Sequence, residues 1–322
     1  GKLIEGKTPD EISKIKILDP SCGSGSFLIG AYQYLLDYHL FYYNKNNPKK
    51  KQKENPLTVD NQLTSKEKKR ILLNNIFGVD IDTQAVEVTK LSLLLKALEG
   101  ETDASIQTSL QLFHERVLPT IDSNIQCGNS LVASDFYNNE LFLTPKEERK
   151  INVFDWNTAF PEVFEQGGFD CIIGNPPYVL LQILEKKEIF NYTSNRYSSA
   201  HYKIDTYQLF IENSINLLKN DSYLAYITPN TFLKNIHSEP LRKYILNNTL
   251  IKEFLLFYYN VFQQASVDVC ISLVKRAKTN GNNPIQIKEV HEEFKPVLKR
   301  EIEQNTFLNN NRFVFNISID NV

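Results

Sequence analysis

Asn175-Pro176-Pro177-Tyr178 is the segment of this 322-residue chain whose residue types most narrowly define a chemistry. It follows the apolar run Phe169–Ile173, with Gly174 between. Adjacent prolines remove backbone donors and fix φ at each, which is costly for a mere connection. What they leave is rigid carbonyls on display. An asparagine side-chain oxygen and a neighbouring carbonyl can together accept both hydrogens of an exocyclic –NH2. The ring of Tyr178 offers a face on which a base could stack. A stiff surface loop is the plain alternative, and the Asn before the prolines and the aromatic after them argue against it.

Other candidates also follow apolar runs. Gly23 and Gly25, in Asp19-Pro20-Ser21-Cys22-Gly23-Ser24-Gly25, come after Ile15–Leu18. Small residues there make either a plain strand–helix turn or a close backbone approach to a ligand. Asp80 closes Ile76–Asp80 and is either an acceptor for a ribose diol or a helix-capping acid. Asn129 follows Asn124–Cys127; it either reads an adenine edge or simply forms a turn.

The elements that must position these residues alternate. Strands are expected at Ile15–Leu18, Ile76–Asp80, Asn124–Cys127, Phe169–Ile173, Tyr223–Thr228, Leu250–Tyr259 and Ser266–Lys275. Helices are expected from the glycine turn to about Tyr43, over Thr83–Glu99 with Asp82 or Thr83 as N-cap, and over Asp205–Leu218. Leu91, Leu94, Leu95 and Leu98 are the expected buried stripe of the second helix. This alternation implies a parallel sheet with helices on both faces. The last two strands lie too close for a helical crossover, so they should pair antiparallel as a hairpin. In such sheets ligands bind beyond the carboxyl ends of the strands, where the candidate residues fall. Residues 44–70, with Lys49, Lys50, Lys51 and Lys53, read as an inserted loop, either simply solvated or contacting DNA phosphates. Asn191–Lys203 reads as either a mobile segment ordered by DNA or a plain exposed loop.

Composition excludes little. The formal charge of −2 does not advertise nucleic-acid binding, so any DNA contact must use local basic patches or a further domain. No apolar run approaches the roughly 20 residues that span a bilayer. Cys22, Cys127, Cys171 and Cys270 are dispersed and form no C-x-x-C pair, which argues for free thiols in a reducing compartment and against a metal site.

The motifs together resemble those of amino-methyltransferases. D-P-S-C-G-S-G-S-F at 19–27 is similar to motif I, G-V-D-I-D at 78–82 to motif II, C-G-N-S-L at 127–131 to motif III and N-P-P-Y to motif IV. Thr206–Phe210 and Tyr226–Asn230 resemble motifs V and VI, and Phe262 in N-V-F-Q-Q matches the motif VIII aromatic. Motif I precedes motif IV, with room for a recognition domain only after residue 276, which is the gamma-class order of N6-adenine DNA methyltransferases. The lead-in F-D-W-N-T-A-F-P-E-V-F at 154–164 resembles the methyltransferase part of type IIG restriction–modification enzymes.

The resemblance implies a Rossmann-like class I methyltransferase fold. Its sheet would be mostly parallel and seven-stranded, with an antiparallel strand in a C-terminal hairpin. It implies a methyltransferase domain over 1–278 and the start of a linker or target-recognition region over 279–322. It implies S-adenosylmethionine as cofactor and a flipped adenine in double-stranded DNA as substrate, in the cytoplasm of a bacterium or archaeon. Asp19, Pro20, Ser21, Cys22, Gly23 and Gly25 would cradle the methionine moiety, Asp80 the ribose and Ile81 the adenine face. Asn129, followed by Ser130, stands where the family often has Asp at the cofactor's adenine amino group. Asn175, Pro176, Pro177, Tyr178 and Phe262 would serve the target base, Tyr178 and Phe262 as its stacking partners. No metal and no membrane are implied. The rest of the same polypeptide is expected to supply motif X, with room for a nuclease, on the N-terminal side, and target recognition on the C-terminal side. The competing readings are a protein-glutamine or RNA N-methyltransferase, a cytosine-N4 methyltransferase, and a non-catalytic DNA-binding subunit of phage defence.

Overall fold

The computed structural model describes residues 3–46, 55–100, 119–139, 143–181, 187–262, 267–278, 282–291 and 295–317. They divide into two units, Gly1–Gly128 and Asn129–Val322.

In the first unit the apolar runs fold as parallel neighbours. These are β1 (Ile17–Asp19), β2 (Ile76–Asp80) and β3 (Ile125–Cys127), ordered β3-β2-β1. Ile17 pairs with Ile76, and Gly78 with Ile125. Helix α1 (Ser26–Asn46) follows β1 and buries Leu28, Tyr32, Leu35, Leu36, His39 and Tyr43, a stripe at helical spacing. It packs so close to the sheet that a Cβ on Gly78 would stand 2.7 Å from Leu28 Cδ1 and 3.1 Å from Cys22 Sγ. Helix α2 (Ser65–Asn75) is capped by Thr64, whose hydroxyl accepts the Glu67 N–H at 3.3 Å. Within the expected 44–70 loop, then, the described part is ordered. α1 continues to Asn46, buried Leu57 and Leu63 form an antiparallel bridge, and α2 begins at Ser65. The polar composition there marks a tight turn and a solvated helix face. Lys49, Lys50, Lys51 and Lys53 lie outside the described residues.

Helix α3 (Thr83–Leu98) is capped by Asp82, which accepts the Gln84 N–H at 2.8 Å. It buries Val86, Thr89, Leu93 and Ala97. The expected leucine stripe is therefore wrong: Leu91 and Leu95 are 56% and 57% exposed. In L-S-L-L-L-K-A-L nearly every position is apolar, so leucine identity does not say which face turns inward. The face that does carries the small residues Thr89 and Ala97.

In the second unit, β4 (Phe169–Gly174) and β5 (Leu218–Pro229) are parallel. Next come β7 (Val269–Arg276), antiparallel to β5, and β6 (Thr249–Phe257), antiparallel to β7. The expected hairpin is present. β8 (Pro284–Val290) then joins β6 in parallel, and β9 (Pro296–Glu303) joins β8 antiparallel, giving the order β4-β5-β7-β6-β8-β9. These last strands are an addition to the seven expected, and they carry the sheet into residues expected to open a linker or recognition region. Alternation in P-I-Q-I-K-E-V, with Ile285 and Ile287 fully buried, explains why the chain pairs there. Helices α4 (Lys187–Arg196) and α5 (Thr206–Leu217) lead from β4 to β5, and α6 (Glu239–Asn248) leads from β5 to β6. Because β6 runs parallel to β5, the carboxyl ends of β4, β5 and β6 share one edge of this sheet. No helix among the described residues is long and apolar enough to cross a membrane.

The α3 assignment has a direct test. Leu93→Ala should destabilise the protein by about 2–5 kcal/mol, whereas Leu95→Ala should change it by less than about 0.5 kcal/mol, measured by urea denaturation. Equal losses would contradict the observed face.

Candidate active site

β4 delivers Asn175-Pro176-Pro177-Tyr178 to the carboxyl edge of the second unit's sheet. Pro176 is buried, Pro177 exposed, and Asn175 and Tyr178 half-buried. The loop is tied to the start of α5. The Thr206 hydroxyl donates to the Pro177 carbonyl at 2.5 Å and accepts the Val179 N–H at 3.2 Å. The Thr206 N–H donates to the Val179 carbonyl (2.9 Å), the Leu181 N–H to Ile204 (2.9 Å), and Leu180 bridges Asp205. On the other side the Tyr178 hydroxyl is shared between Asn175 Oδ1 and the Ile227 carbonyl, the latter at 3.1 Å. Burial pushes this hydroxyl well above its usual range, so it stays a neutral donor. Its ring meets Tyr207 edge-on, centroids 6.0 Å apart at 84°.

Tyr178 thus orients Asn175, a role additional to the stacking expected of it. Asn175 Oδ1 keeps a second lone pair. Among the described residues the Pro176 carbonyl accepts no hydrogen bond. This leaves fixed acceptors on adjacent residues, the arrangement that can take both hydrogens of an amine. Asp205, beside the loop, is raised to about 6 by burial, and its Oδ1 is buried without a partner among the described residues.

At the same edge, Asn230, Lys234, Tyr258, Tyr259, Asn260 and Asp268 line a cleft of about 610 Å³. Phe262, half-buried, follows Asn260 on the connection out of β6. Gln263 and Gln264 lie outside the described residues.

In the first unit the turn after β1 gathers Asp19, Ser21, Cys22, Gly23, Gly25 and Asp80. The Cys22 N–H donates to the Val79 carbonyl (3.0 Å) and the Gly23 N–H to Asp80 Oδ2 (2.8 Å). Asp80 Oδ1 accepts from the Asp82 N–H (3.0 Å). Gly23 and Gly25 take φ of +53° and +82°, which side chains rarely adopt. At Gly23 a Cβ would meet open space, whereas at Gly25 it would strike Thr89 at 2.8 Å. Thr89 also donates to the Gly23 carbonyl (2.7 Å). Pro20 is buried, and Ile81 is 51% exposed, an apolar side chain in reach of a ligand's ring.

Asp19 is 1% exposed and its carboxylate accepts the Ser21 N–H (3.1 Å). Burial, with the Asp80 carboxylate as a smaller cause, raises it to about 7. The Ser21 hydroxyl oxygen is buried without a hydrogen-bond partner among the described residues. A ligand carrying a cation and hydroxyls would complete this turn.

Asn129 and Ser130 belong to the second unit. The Asn129 N–H donates to the Asn152 carbonyl (2.6 Å), and its Oδ1 accepts the Leu131 N–H (3.1 Å). It is a turn former here, and among the described residues its amide –NH2 and one lone pair have no partner. Ser130 is buried and its carbonyl accepts from Trp156 Nε1 (3.1 Å) and Asn213 Nδ2 (3.0 Å).

Sequence reasoning missed three contributors. Thr89 lies in a helix where leucines are the stronger apolar signal. Thr206 opens the segment that resembles motif V, but nothing in the sequence showed that its hydroxyl clasps the Pro177 carbonyl. Arg242 gave no signal at all. It is fully buried, yet it donates to the carbonyls of Phe232 (2.7 Å), Asn235 (2.7 Å) and Arg312 (2.9 Å).

The chain is similar to solved restriction–modification enzymes. It matches the Type IIL enzyme MmeI in complex with DNA at a TM-score of 0.54 and 14% identity, over 100% of this chain and 38% of that one. It matches the ATP-dependent Type ISP enzyme LlaBIII bound to DNA at 0.52 and 13%, over 90% and 18%. These likenesses are likenesses of fold. The model of the family described as Eco57I restriction-modification methylase matches residues 74–262. The chain is 33% identical over 301 residues to the type II restriction enzyme and methyltransferase RM.Eco57I of Escherichia coli, covering 92% of this chain and 28% of that protein. It is 31% identical over 167 residues to the type II methyltransferase M.HincII of Haemophilus influenzae, covering 50% and 31%. This chain belongs to the Eco57I restriction-modification methylase family. It spans less than a third of either relative.

Asp19 predicts a pH dependence. Its folded pKa lies above the unfolded one, so the folded state holds the proton more tightly. Without ligand the protein should lose stability as pH rises from about 4 to about 7, by roughly 4 kcal/mol if the shift is fully expressed. Asp19→Asn should remove that loss. Urea denaturation of both proteins across this range checks it, and parallel stability curves would contradict the role of Asp19.

Proposed function

We propose that this chain is the catalytic part of a DNA methyltransferase that uses S-adenosylmethionine to methylate N6 of a flipped adenine in duplex DNA, within a restriction–modification system. The observation that carries this reading is the pair of fixed acceptors, Asn175 Oδ1 and the Pro176 carbonyl, held by Tyr178 and Thr206. The family membership and the DNA-bound neighbours support DNA as the substrate class.

The adenine amine is a poor nucleophile because its lone pair is delocalised into the ring. Asn175 and Pro176 would each accept one N6–H. That favours the pyramidal nitrogen and stabilises the positive charge that develops on it. No base is needed before transfer, since the product ammonium is strongly acidic and loses its proton afterwards. The duplex hides N6, so the base must leave the stack. Tyr178 and Phe262 would then hold it between rings, at about 1–3 kcal/mol of stacking per base.

The residues of the first unit fit the cofactor. Asp19, buried and starved of positive charge, would attract its ammonium end, with Ser21, Cys22, Gly23 and Gly25 around the methionine chain. Asp80 would accept the ribose hydroxyls and Ile81 cover the adenine face; Asn129 would offer its amide to the adenine edge. When bound, S-adenosylmethionine supplies an electrophilic methyl group. Since the turn carries the buried carboxylate, binding should draw the Asp19 pKa down and release a proton near neutral pH.

Asn175→Ala in the full-length protein should lower methyl transfer at least ~10²-fold, the scale of losing one preorganised electrostatic group, while leaving cofactor affinity within about threefold. Transfer of tritiated methyl to duplex DNA, RNA and protein, alongside calorimetric cofactor titration, reads both. Turnover at the normal rate would sink the mechanism, and label in RNA or protein but not DNA would overturn the substrate. Phe262→Ala should weaken productive flipping more than cofactor binding, seen as a fall in DNA methylation at unchanged cofactor affinity; unaltered DNA kinetics would remove Phe262 from the site.

A further inference from the structure

Asn191–Lys203 is anchored chain. Its first part belongs to α4, which ends at Arg196. Beyond it, buried Tyr197 donates to the Leu131 carbonyl at 3.0 Å. The buried Glu212 carboxylate accepts from the Ser198 N–H (2.9 Å), the Ser198 hydroxyl (2.9 Å) and the Ser199 N–H (2.7 Å). Past the tip, Ile204 is buried, and Thr206 holds the Pro177 carbonyl.

Between these anchors His201, Tyr202 and Lys203 are exposed. Tyr202 is 66% exposed, with a φ of +54°, a left-handed backbone that an aromatic residue adopts only when its surroundings impose it. Its ring lies against His237, centroids 5.0 Å apart and planes inclined 32°. His237 is itself fixed, since its N–H donates to Asn235 Oδ1 (2.9 Å) and Arg242 holds the Asn235 carbonyl (2.7 Å). His237, with His201 beside Tyr202 in the chain, lines an open cleft of about 790 Å³ together with Lys243 and Arg312, and with Glu239 as an acidic member. Tyr202 stands four residues before Thr206, so at most ~14 Å of extended chain separates it from the clasp of the catalytic loop.

We propose that Tyr202, backed by His237, is the wedge that enters duplex DNA where the target base leaves the stack, and that the cationic cleft beside it receives the flanking phosphates. This rests on the reading of the chain as a methyltransferase acting on a flipped base. Extruding a base opens a gap between its neighbours, and a ring inserted there restores part of the lost stacking. Insertion works only if the ring does not retreat, and here the backbone on both sides is pinned and the ring is supported from behind. Lysine and arginine at the rim match phosphates that must follow the distorted strand.

The test uses the full-length protein and a duplex bearing its methylated site, with the target adenine either paired with thymine or opposite an abasic position. Tyr202→Ala should slow methylation of the paired adenine roughly 10–100-fold, the scale of one lost base-stacking contact, and that of the abasic duplex by less than about threefold. Tyr202→Gly, which suits the backbone, should behave like Tyr202→Ala, and Tyr202→Trp should recover most of the rate. With 2-aminopurine as the target, the fluorescence rise on binding should be lost in Tyr202→Ala. Equal losses on both duplexes, an unchanged rate on the paired one, or full recovery in Tyr202→Gly would overturn the wedge. If the wild-type protein transfers no methyl to either duplex, the failure lies in the underlying reading, and the wedge falls with it.

Discussion

A carbonyl can steer an amine only while it cannot turn away from it, and the second unit is organised around that requirement. Proline fixes φ and restricts ψ of the residue before it, but nothing in Pro176-Pro177 sets ψ of Pro177 or the Asn175 side chain, so the dipeptide alone does not aim the loop. The aim comes from neighbours: Thr206 clasps the Pro177 carbonyl and the Val179 N–H, while Tyr178 reaches back to Asn175 and across to Ile227. β4, β5 and the start of α5 therefore meet at one loop. The hydroxyl of Tyr178, kept protonated by burial, makes that loop a single hydrogen-bonded piece. Among the described residues, one lone pair on Asn175 and the Pro176 carbonyl remain unclaimed, and these are the acceptors that the proposed chemistry would use.

The same device recurs with charged groups. Arg242 and Glu212 are buried, yet each is satisfied chiefly by backbone, the arginine by carbonyls of three loop residues and the glutamate by amides of Ser198 and Ser199. A buried charge used this way fixes irregular chain that has no ladder of its own. Removing either would leave several backbone groups unpaired, at about 1–3 kcal/mol each. The irregular segments so fixed carry Tyr202 and His237 and contribute Ser198, His237 and Arg312 to the lining of the cleft of about 790 Å³.

The first unit works by an opposite principle, a deliberate deficit. Asp19 is buried with Asp80 close by, and the turn they serve leaves Gly23 open and Ser21 Oγ unpaired. A cation carrying hydroxyl groups would relieve that deficit. Thr89 and Gly25 keep the turn in this shape, because any side chain at Gly25 would strike Thr89.

By itself the sequence determined the alternation of strands and helices, the C-terminal hairpin, the glycine turn before α1 and the Asn-Pro-Pro-Tyr loop after β4. These are local properties of periodicity, glycine and proline, and they are written in adjacent residues. Tertiary structure decided what depends on partners distant in sequence. It turned Thr89 and Leu93 of α3 inward instead of Leu91 and Leu95, since a helix apolar on most sides is oriented by what it meets. It set Asn129 as the acceptor of its own turn, added β8 and β9 to the sheet because β6 had a free edge, and made Asn191–Lys203 an anchored display. It also gave the Tyr178 hydroxyl to Asn175. The motif names an acceptor, and only the fold supplies the restraint that makes it one.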